Sequence, residues 1–217
     1  CRFLFVNDGS TDGTLAMLSE FCKARAESCD VLNLEQNQGK AGAVRMGMHT
    51  AMGQPDTALA AYWDADLATD LTVIPRFIEE FEQHPALEIA MGSRVRLLGR
   101  HIHRKPMRHI LGRCFATAAS LVLKLPVYDT QCGAKMFRAI ADIRLLFEDP
   151  FQTRWIFDVE ILARYLRLRG NDQDFDPHRL IHEIPLPAWE DVGGSRVKIF
   201  DFLKAAVDLW RIKSGKF

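Results

Sequence analysis

Short apolar runs alternate with amphipathic stretches through the first half of this chain, and that alternation constrains the fold more than any single motif. Phe3 to Val6, Val31 to Leu34, Leu59 to Trp63 and Ile89 to Met91 read as strands. Between them, helical spacing runs from Thr14 to about Ala26 and from Lys40 to Met52. Asp70 can cap a third helix that buries Leu71, Ile74, Phe77, Ile78 and Phe81. Strand, polar loop and helix in repeated order predict an α/β fold. The central sheet should be mainly parallel, with right-handed crossovers and helices on its faces.

The second half reads differently. It holds a long helical stretch from Met107 to Lys124, a short strand over Ala134 to Phe137 and a helix over Phe157 to Arg169. A Pro-flanked strand, Leu180 to Leu186, and a helix from Ile199 to about Lys213 complete it. No Ser/Gly linker divides the 217 residues and no internal repeat is present, so residues 1–217 read as a single domain.

Composition removes several function classes. At 48% hydrophobic residues the chain is not disordered. Lys plus Arg and Asp plus Glu balance at 28 each, which speaks against a nucleic-acid partner. The five cysteines are scattered without a CxxC pair, which argues for a reducing compartment and against a zinc site built from them. The histidines form no HExxH, there is no GxSxG elbow, and no GxGxxG follows the first strand. Ile110 to Leu123 is too short to span a bilayer and contains Arg113. No signal peptide is recognisable. The chain opens on Cys1-Arg2-Phe3-Leu4-Phe5-Val6, directly in a strand pattern and without Met, as though preceding residues were missing.

The third strand ends in Trp63-Asp64-Ala65-Asp66. In an extended chain, residues two apart point the same way, so Asp64 and Asp66 would present paired carboxylates at a strand end, where α/β sheets bind ligands. Oxygen-only ligands suit Mg²⁺ or Mn²⁺, which travel with substrate phosphates. A solvated turn is the competing reading. Asn7-Asp8-Gly9-Ser10 ends the first strand, where Asp8 can accept bonds from a base or ribose, or serve ordinary turn chemistry.

Asn37-Gln38-Gly39-Lys40 precedes a helix and can face an anion. It is not a P-loop, because Leu34 stands where the upstream Gly must be and Ala41 where Ser or Thr must be. Arg94 follows the fourth strand, and Arg108 and Arg113 lie on adjacent faces of the next helix. Together they could clamp a phosphate, or be a solvated basic surface. Asp129-Thr130-Gln131-Cys132-Gly133 is a compact polar loop whose Cys132 has no nucleophile's partner in sequence. Asp158 and Glu160 open a helix, where acids suit the dipole, and one of them can face the cleft. Gly193-Gly194-Ser195-Arg196 can close over phosphates.

Taken in order, Asp-Gly-Ser, Asn-x-Gly-Lys, Asp-Ala-Asp, Gly-Ser-Arg, Asp-Thr-Gln-Cys-Gly, Phe-Asp-Val-Glu and a second Gly-Ser-Arg resemble the family 2 glycosyltransferases of the GT-A fold. Within them the set is most similar to polyprenyl-phosphate sugar synthases, the dolichyl-phosphate β-glucosyltransferases first and the dolichyl-phosphate mannose synthases second. DTQCGAKMF (129–137) and RWIFDVEIL (154–162) are the distinctive runs.

The resemblance implies roles. Asp8, Gly39, Lys40 and Asp64 would bind the nucleotide-sugar, and Asp66 with Asp64 would hold Mg²⁺ or Mn²⁺. Arg94, Arg108, Arg113 and Arg196 would receive the acceptor phosphate. Asp129 and Asp158 are the candidates if a catalytic carboxylate exists. It implies an inverting hexosyl transfer, with UDP-glucose as the donor and GDP-mannose second, onto a polyprenyl phosphate. The enzyme would be peripheral at the cytoplasmic face of a membrane. The chain departs from the family at its front, where an apolar-Pro-x-Tyr/Phe-Asn-Glu segment is missing and, with it, the first strand. A family 2 transferase with a hydroxyl acceptor and a non-catalytic nucleotide-sugar binding module are the alternatives.

Overall fold

The structure is a computed structural model. It describes residues 1–103, 106–170, 172–190 and 199–215, with the side chains of 103, 106–109 and 199–203 left out. In chain order the elements are β1 (Phe3–Asp8), α1 (Thr14–Lys23), β2 (Cys29–Leu34), α2 (Gly39–Met52) and β3 (Leu59–Trp63). A 3₁₀ turn (Leu71–Val73) then leads into α3 (Ile74–Gln83), followed by β4 (Ile89–Ser93), β5 (His101–His103), α4 (Pro106–Leu123) and β6 (Ala134–Arg138). The rest is α5 (Ala141–Leu145), α6 (Phe157–Arg169), α7 (Pro177–Leu180), β7 (Ile181–Pro185), β8 (Ala188–Glu190) and α8 (Ile199–Ser214). Asp70 does cap, but it caps the 3₁₀ turn, accepting from the Thr72 amide at 2.8 Å.

The central sheet is mainly parallel, as expected, with one strand reversed. β3, β6, β4 and β7 are hydrogen-bonded in that order. β6 runs antiparallel to both β3 and β4, while β7 is parallel to β4. Hydrophobic periodicity marks a strand but carries no information about its direction. β6 is reached from β4 through β5 and α4, and it enters between β3 and β4 from the opposite end. β1 and β2 form a separate parallel pair. α2 packs against both β1 and β3, so one helix covers strands of both sheets. The three-residue strands β5 and β8 pair in parallel and are too short for a periodic signal.

Alternation divides the core into two layers. Tyr62, Met91 and Phe137 face a cluster with α2, α4 and α6. Ala90, Met136 and Ile184 face the other side, against Phe77 and Phe81 of α3. β4 is buried along its whole length, as expected of a strand covered on both faces.

Candidate active site

The carboxyl end of β3 carries the acidic doublet. β3 stops at Trp63, and Asp64 to Leu67 turn away from the sheet. The extended-chain argument for two parallel carboxylates therefore does not describe this loop. Asp64 is half-buried and both its oxygens meet Lys40 Nζ, at 2.7 and 2.8 Å. Asp66 is exposed, and one of its oxygens accepts from the Ala68 amide at 3.0 Å. The indole of Trp63 anchors the loop by donating to the Thr69 carbonyl at 2.8 Å. Leu67 closes the turn at φ 55°, in the left-handed region that a bulky side chain rarely adopts.

Lys40 reaches Asp64 because Asp8 fixes the loop before α2. Asp8 Oδ1 accepts from the Gln38 amide at 2.7 Å, and the Asp8 carbonyl accepts from the Asn37 side chain at 2.9 Å. The two loops approach so closely at Gly9 that a Cβ there would lie 2.6 Å from the Asn37 nitrogen. Gly39 and Lys40 thus open α2 beside Asp64, at a helix terminus whose free amides favour anions.

The segment from Asp129 to Lys135 ties together three parts of the site. Its first residue accepts from Arg94, through Nε and Nη2 at 2.7 Å each and through the Arg94 amide at 3.0 Å. Burial works to lower the Arg94 pKa, but the Asp129 carboxylate more than reverses it, so the guanidinium stays charged. At Gly133 the carbonyl accepts from the Asp64 amide at 2.8 Å. From the far end, Lys135, 1% exposed, donates to Asp158 Oδ1 at 2.5 Å and to the Cys132 carbonyl at 2.7 Å. Lys135 stands directly across from Tyr62 in the β3–β6 ladder, and the Tyr62 hydroxyl donates to the same Asp158 oxygen at 2.5 Å. Burial, reinforced by the Asp158 carboxylate, holds the Tyr62 pKa well above its ordinary value, which keeps it a donor.

Several expected roles change in this light. Neither Asp158 nor Glu160 faces an open cleft, since both are buried. Asp158 is bound by Lys135 and Tyr62. Glu160 accepts from the Thr153 amide and hydroxyl at 2.8 Å each, from the Gln152 amide at 3.1 Å and from Arg164 at 2.8 Å. Asp129 is likewise committed to Arg94, so neither candidate base presents a free carboxylate. Arg113 lies over the Tyr128 ring at 3.6 Å and donates to the Tyr128 carbonyl at 3.0 Å, so it belongs to the loop after α4. The Arg108 side chain and Arg196 lie outside the described residues.

The sequence reading missed three contributors. Lys135 is one, and its signal was a lone cation inside an apolar strand. Gly133 is another. Arg154 is the third: it is exposed, and its Nη2 lies 3.7 Å from where a Cβ on Gly39 would be. Its loop is held by Glu160 through the two residues just before it. Thr130 Oγ1 and Gln131 Nε2 are buried without a protein partner among the described residues, an exception to the usual pairing of buried polar atoms. Cys132 is fully buried, and burial pushes its thiol pKa up, which fits a packing role.

Comparison with known proteins bears on the whole arrangement. The family model for glycosyl transferase family 2 matches residues 1–146. The chain is 31% identical over 226 residues to the dolichyl-phosphate beta-glucosyltransferase of Saccharomyces cerevisiae, covering 96% of this chain and 63% of that protein. It is 34% identical over 224 residues to the Drosophila melanogaster protein of that name, covering 97% and 66%. The Homo sapiens protein of the same name is 31% identical over 219 residues, covering 97% and 62%. The chain thus spans less than two thirds of the length of these relatives. Among solved structures, glucosyl-3-phosphoglycerate synthase from Mycobacterium tuberculosis in complex with Mn²⁺, UDP-glucose and glycerol 3-phosphate superposes with a TM-score of 0.61 at 16% identity, covering 98% of this chain and 68% of that one. That likeness shows the fold, which is GT-A.

Proposed function

The chain belongs to glycosyl transferase family 2, and from that premise we propose that it moves glucose from UDP-glucose to a polyprenyl phosphate of the dolichyl kind, inverting the anomeric centre. The observation that carries this reading is the commitment of both candidate bases to buried cations. A hydroxyl acceptor must lose a proton as it attacks, so it needs a free base within reach. A phosphate monoester is already an anion near neutral pH and needs only placement. Asp129 on Arg94 and Asp158 on Lys135 suit the second chemistry.

In this reading Lys40, the N-terminus of α2 and Arg154 receive the donor diphosphate. Asp8 faces the nucleoside with the carboxylate oxygen that Gln38 does not use. Asp64 and Asp66 offer oxygen donors only, one of them exposed, which fits Mg²⁺ or Mn²⁺. Asp64 and Asp66 would hold the cation, which when bound would supply charge neutralisation at the diphosphate. One acceptor phosphate oxygen bonds to the anomeric carbon as the bond from that carbon to the diphosphate oxygen breaks. The bonding pair leaves with UDP. Lys40 and Arg154 stabilise the charge that develops on it.

The lipid side of the reading rests on α4 and α8, which pack together. Ile110, Leu111 and Leu121 of α4 are exposed, as are Val207 and Trp210 of α8. Lys204, Arg211 and Lys213 flank the α8 residues and are exposed too. Apolar groups ringed by cations suit the surface of an anionic membrane. No helix among the described residues is long and apolar enough to cross one. Among the described residues β1 and β3 each have an edge without a strand partner, both under the shared α2, which supports a single domain with room for one further strand between them.

A donor–acceptor screen tests the proposal. The protein is given UDP-glucose or GDP-mannose with polyprenyl phosphate, with and without Mg²⁺ or Mn²⁺. Expected is metal-dependent glucose transfer, lost in Asp66→Ala. Transfer to a free hydroxyl acceptor but not to the lipid phosphate overturns the acceptor. Binding of UDP-glucose without any turnover overturns the enzyme reading in favour of a binding module.

A further inference from the structure

A second cluster of ligating side chains lies on the other face of the sheet. α3 and β7 run past each other with a fixed alignment. The Arg76 guanidinium donates to the Pro185 carbonyl at 2.9 Å. One helical turn on, Glu80 Oε1 meets His182 Nδ1 at 2.7 Å. Four residues further, at the end of α3, His84 Nε2 lies 3.5 Å from that same Glu80 oxygen. The two imidazole rings are 4.8 Å apart and meet edge to face. All three ligand atoms lie within 4.8 Å of one another.

We propose that Glu80, His84 and His182 bind a divalent transition-metal ion of the zinc class. Two imidazoles and one carboxylate form a mixed nitrogen and oxygen set, which suits Zn²⁺, Co²⁺ or Ni²⁺ and not Mg²⁺. Ligands around a tetrahedral zinc lie about 3.3 Å apart, as follows from its bond lengths. Glu80 and His84 are already at that spacing, and Glu80 and His182 need to separate only slightly. The ion would take the place of the hydrogen bond between Glu80 and His182.

The scaffold is packed. Ile184, two residues from His182 and on the same face of β7, packs in the cluster that holds Phe77 and Phe81 of α3. Residues 76, 80 and 84 repeat at the helical interval that faces one neighbour. A cavity of about 320 Å³ adjoins the cluster, lined in part by Glu80, His178 and His182, and leaves room for water as the remaining ligand. The ion would staple the end of α3 to β7, away from the acidic doublet after β3.

The test is a Zn²⁺ titration by calorimetry, with Co²⁺ absorption as the second readout. It uses protein carrying Asp64→Asn and Asp66→Asn, so that the doublet contributes nothing. Expected is saturable uptake of one ion, with d–d bands for Co²⁺ and a raised melting temperature that EDTA reverses. Adding His84→Gln or His182→Gln should weaken binding at least about 100-fold, the upper end of what losing even an outer-shell partner of a ligand costs. The metal-free melting temperature of each variant shows whether it is folded. Uptake of equal strength in both histidine variants overturns the proposal. So does the lack of any saturable uptake by the folded parent below about 1 mM.

Discussion

A Cβ on Gly133 would overlap all three atoms of the Asp64 carboxylate group, while the Gly133 carbonyl accepts the Asp64 amide at 2.8 Å. The glycine is therefore the floor on which the first residue of the acidic doublet rests. Gly133 sits on the strand-entering segment of β6 and Asp64 on the segment leaving β3, so the antiparallel pairing of these strands brings them together. Gly133→Ala is expected to push Asp64 off Lys40 and lower UDP-glucose turnover by about 100-fold, the scale of a misplaced catalytic group. The melting temperature should fall by only a few degrees. Turnover matching the parent's would show that Asp64 tolerates the displacement.

Arg94 and Asp129 can be separated as structure and as function. Their side chains are 12% and 8% exposed and bonded through two nitrogens. Removing either alone strands a buried charge, and Arg94→Met or Asp129→Leu should each cost about 3–5 kcal/mol in chemical denaturation. The double variant should regain most of that loss. If it also keeps transferase activity, Arg94 is a structural cation and not an acceptor-phosphate ligand.

Arg154 is exposed and sits beside Gly39, so its replacement should touch binding rather than folding. Arg154→Ala is expected to raise the KM for UDP-glucose about 10-fold, the loss of roughly one charge-assisted contact. The melting temperature should stay unchanged, and Arg154→Lys should restore part of the affinity. A KM change confined to the lipid acceptor would move Arg154 to the other substrate.

Burial raises the Cys132 pKa, so its reactive thiolate forms only above the ordinary thiol range. Exposed Cys1 and Cys114 carry no such protection. Iodoacetamide at neutral pH should label Cys1 and Cys114 in the native protein and leave Cys132 intact until denaturant is added. Raising the pH by one unit should still spare Cys132. Rapid native labelling of Cys132 would reopen a nucleophilic role.

Much of the fold was legible from pattern. β3 and α6 fall on the residues that periodicity assigned, and α2 begins one residue earlier. These segments are long or strongly apolar, so local preference and tertiary packing agree. β5, β8 and α7 span three, three and four residues and escaped notice, because so short a run has no period to read. The distinctive run Asp129 to Lys135 was visible as a string, but its task was not. That task is to neutralise Arg94, seat Asp64 and neutralise Asp158, and these partners lie on three different elements.

Residue order alone was enough for the α/β class and the family, because each depends on neighbours along the chain. Which charges stay free depended on folding. Asp64, Asp129 and Asp158 are all aspartates in polar or helix-start contexts, and nothing local ranks them. Burial and a cation brought from elsewhere rank them: Lys40 meets Asp64 at a half-open edge, while Arg94 and Lys135 bury Asp129 and Asp158. The physical reason is that an ion's solvation and its partners are properties of three-dimensional surroundings, and sequence distance does not measure those.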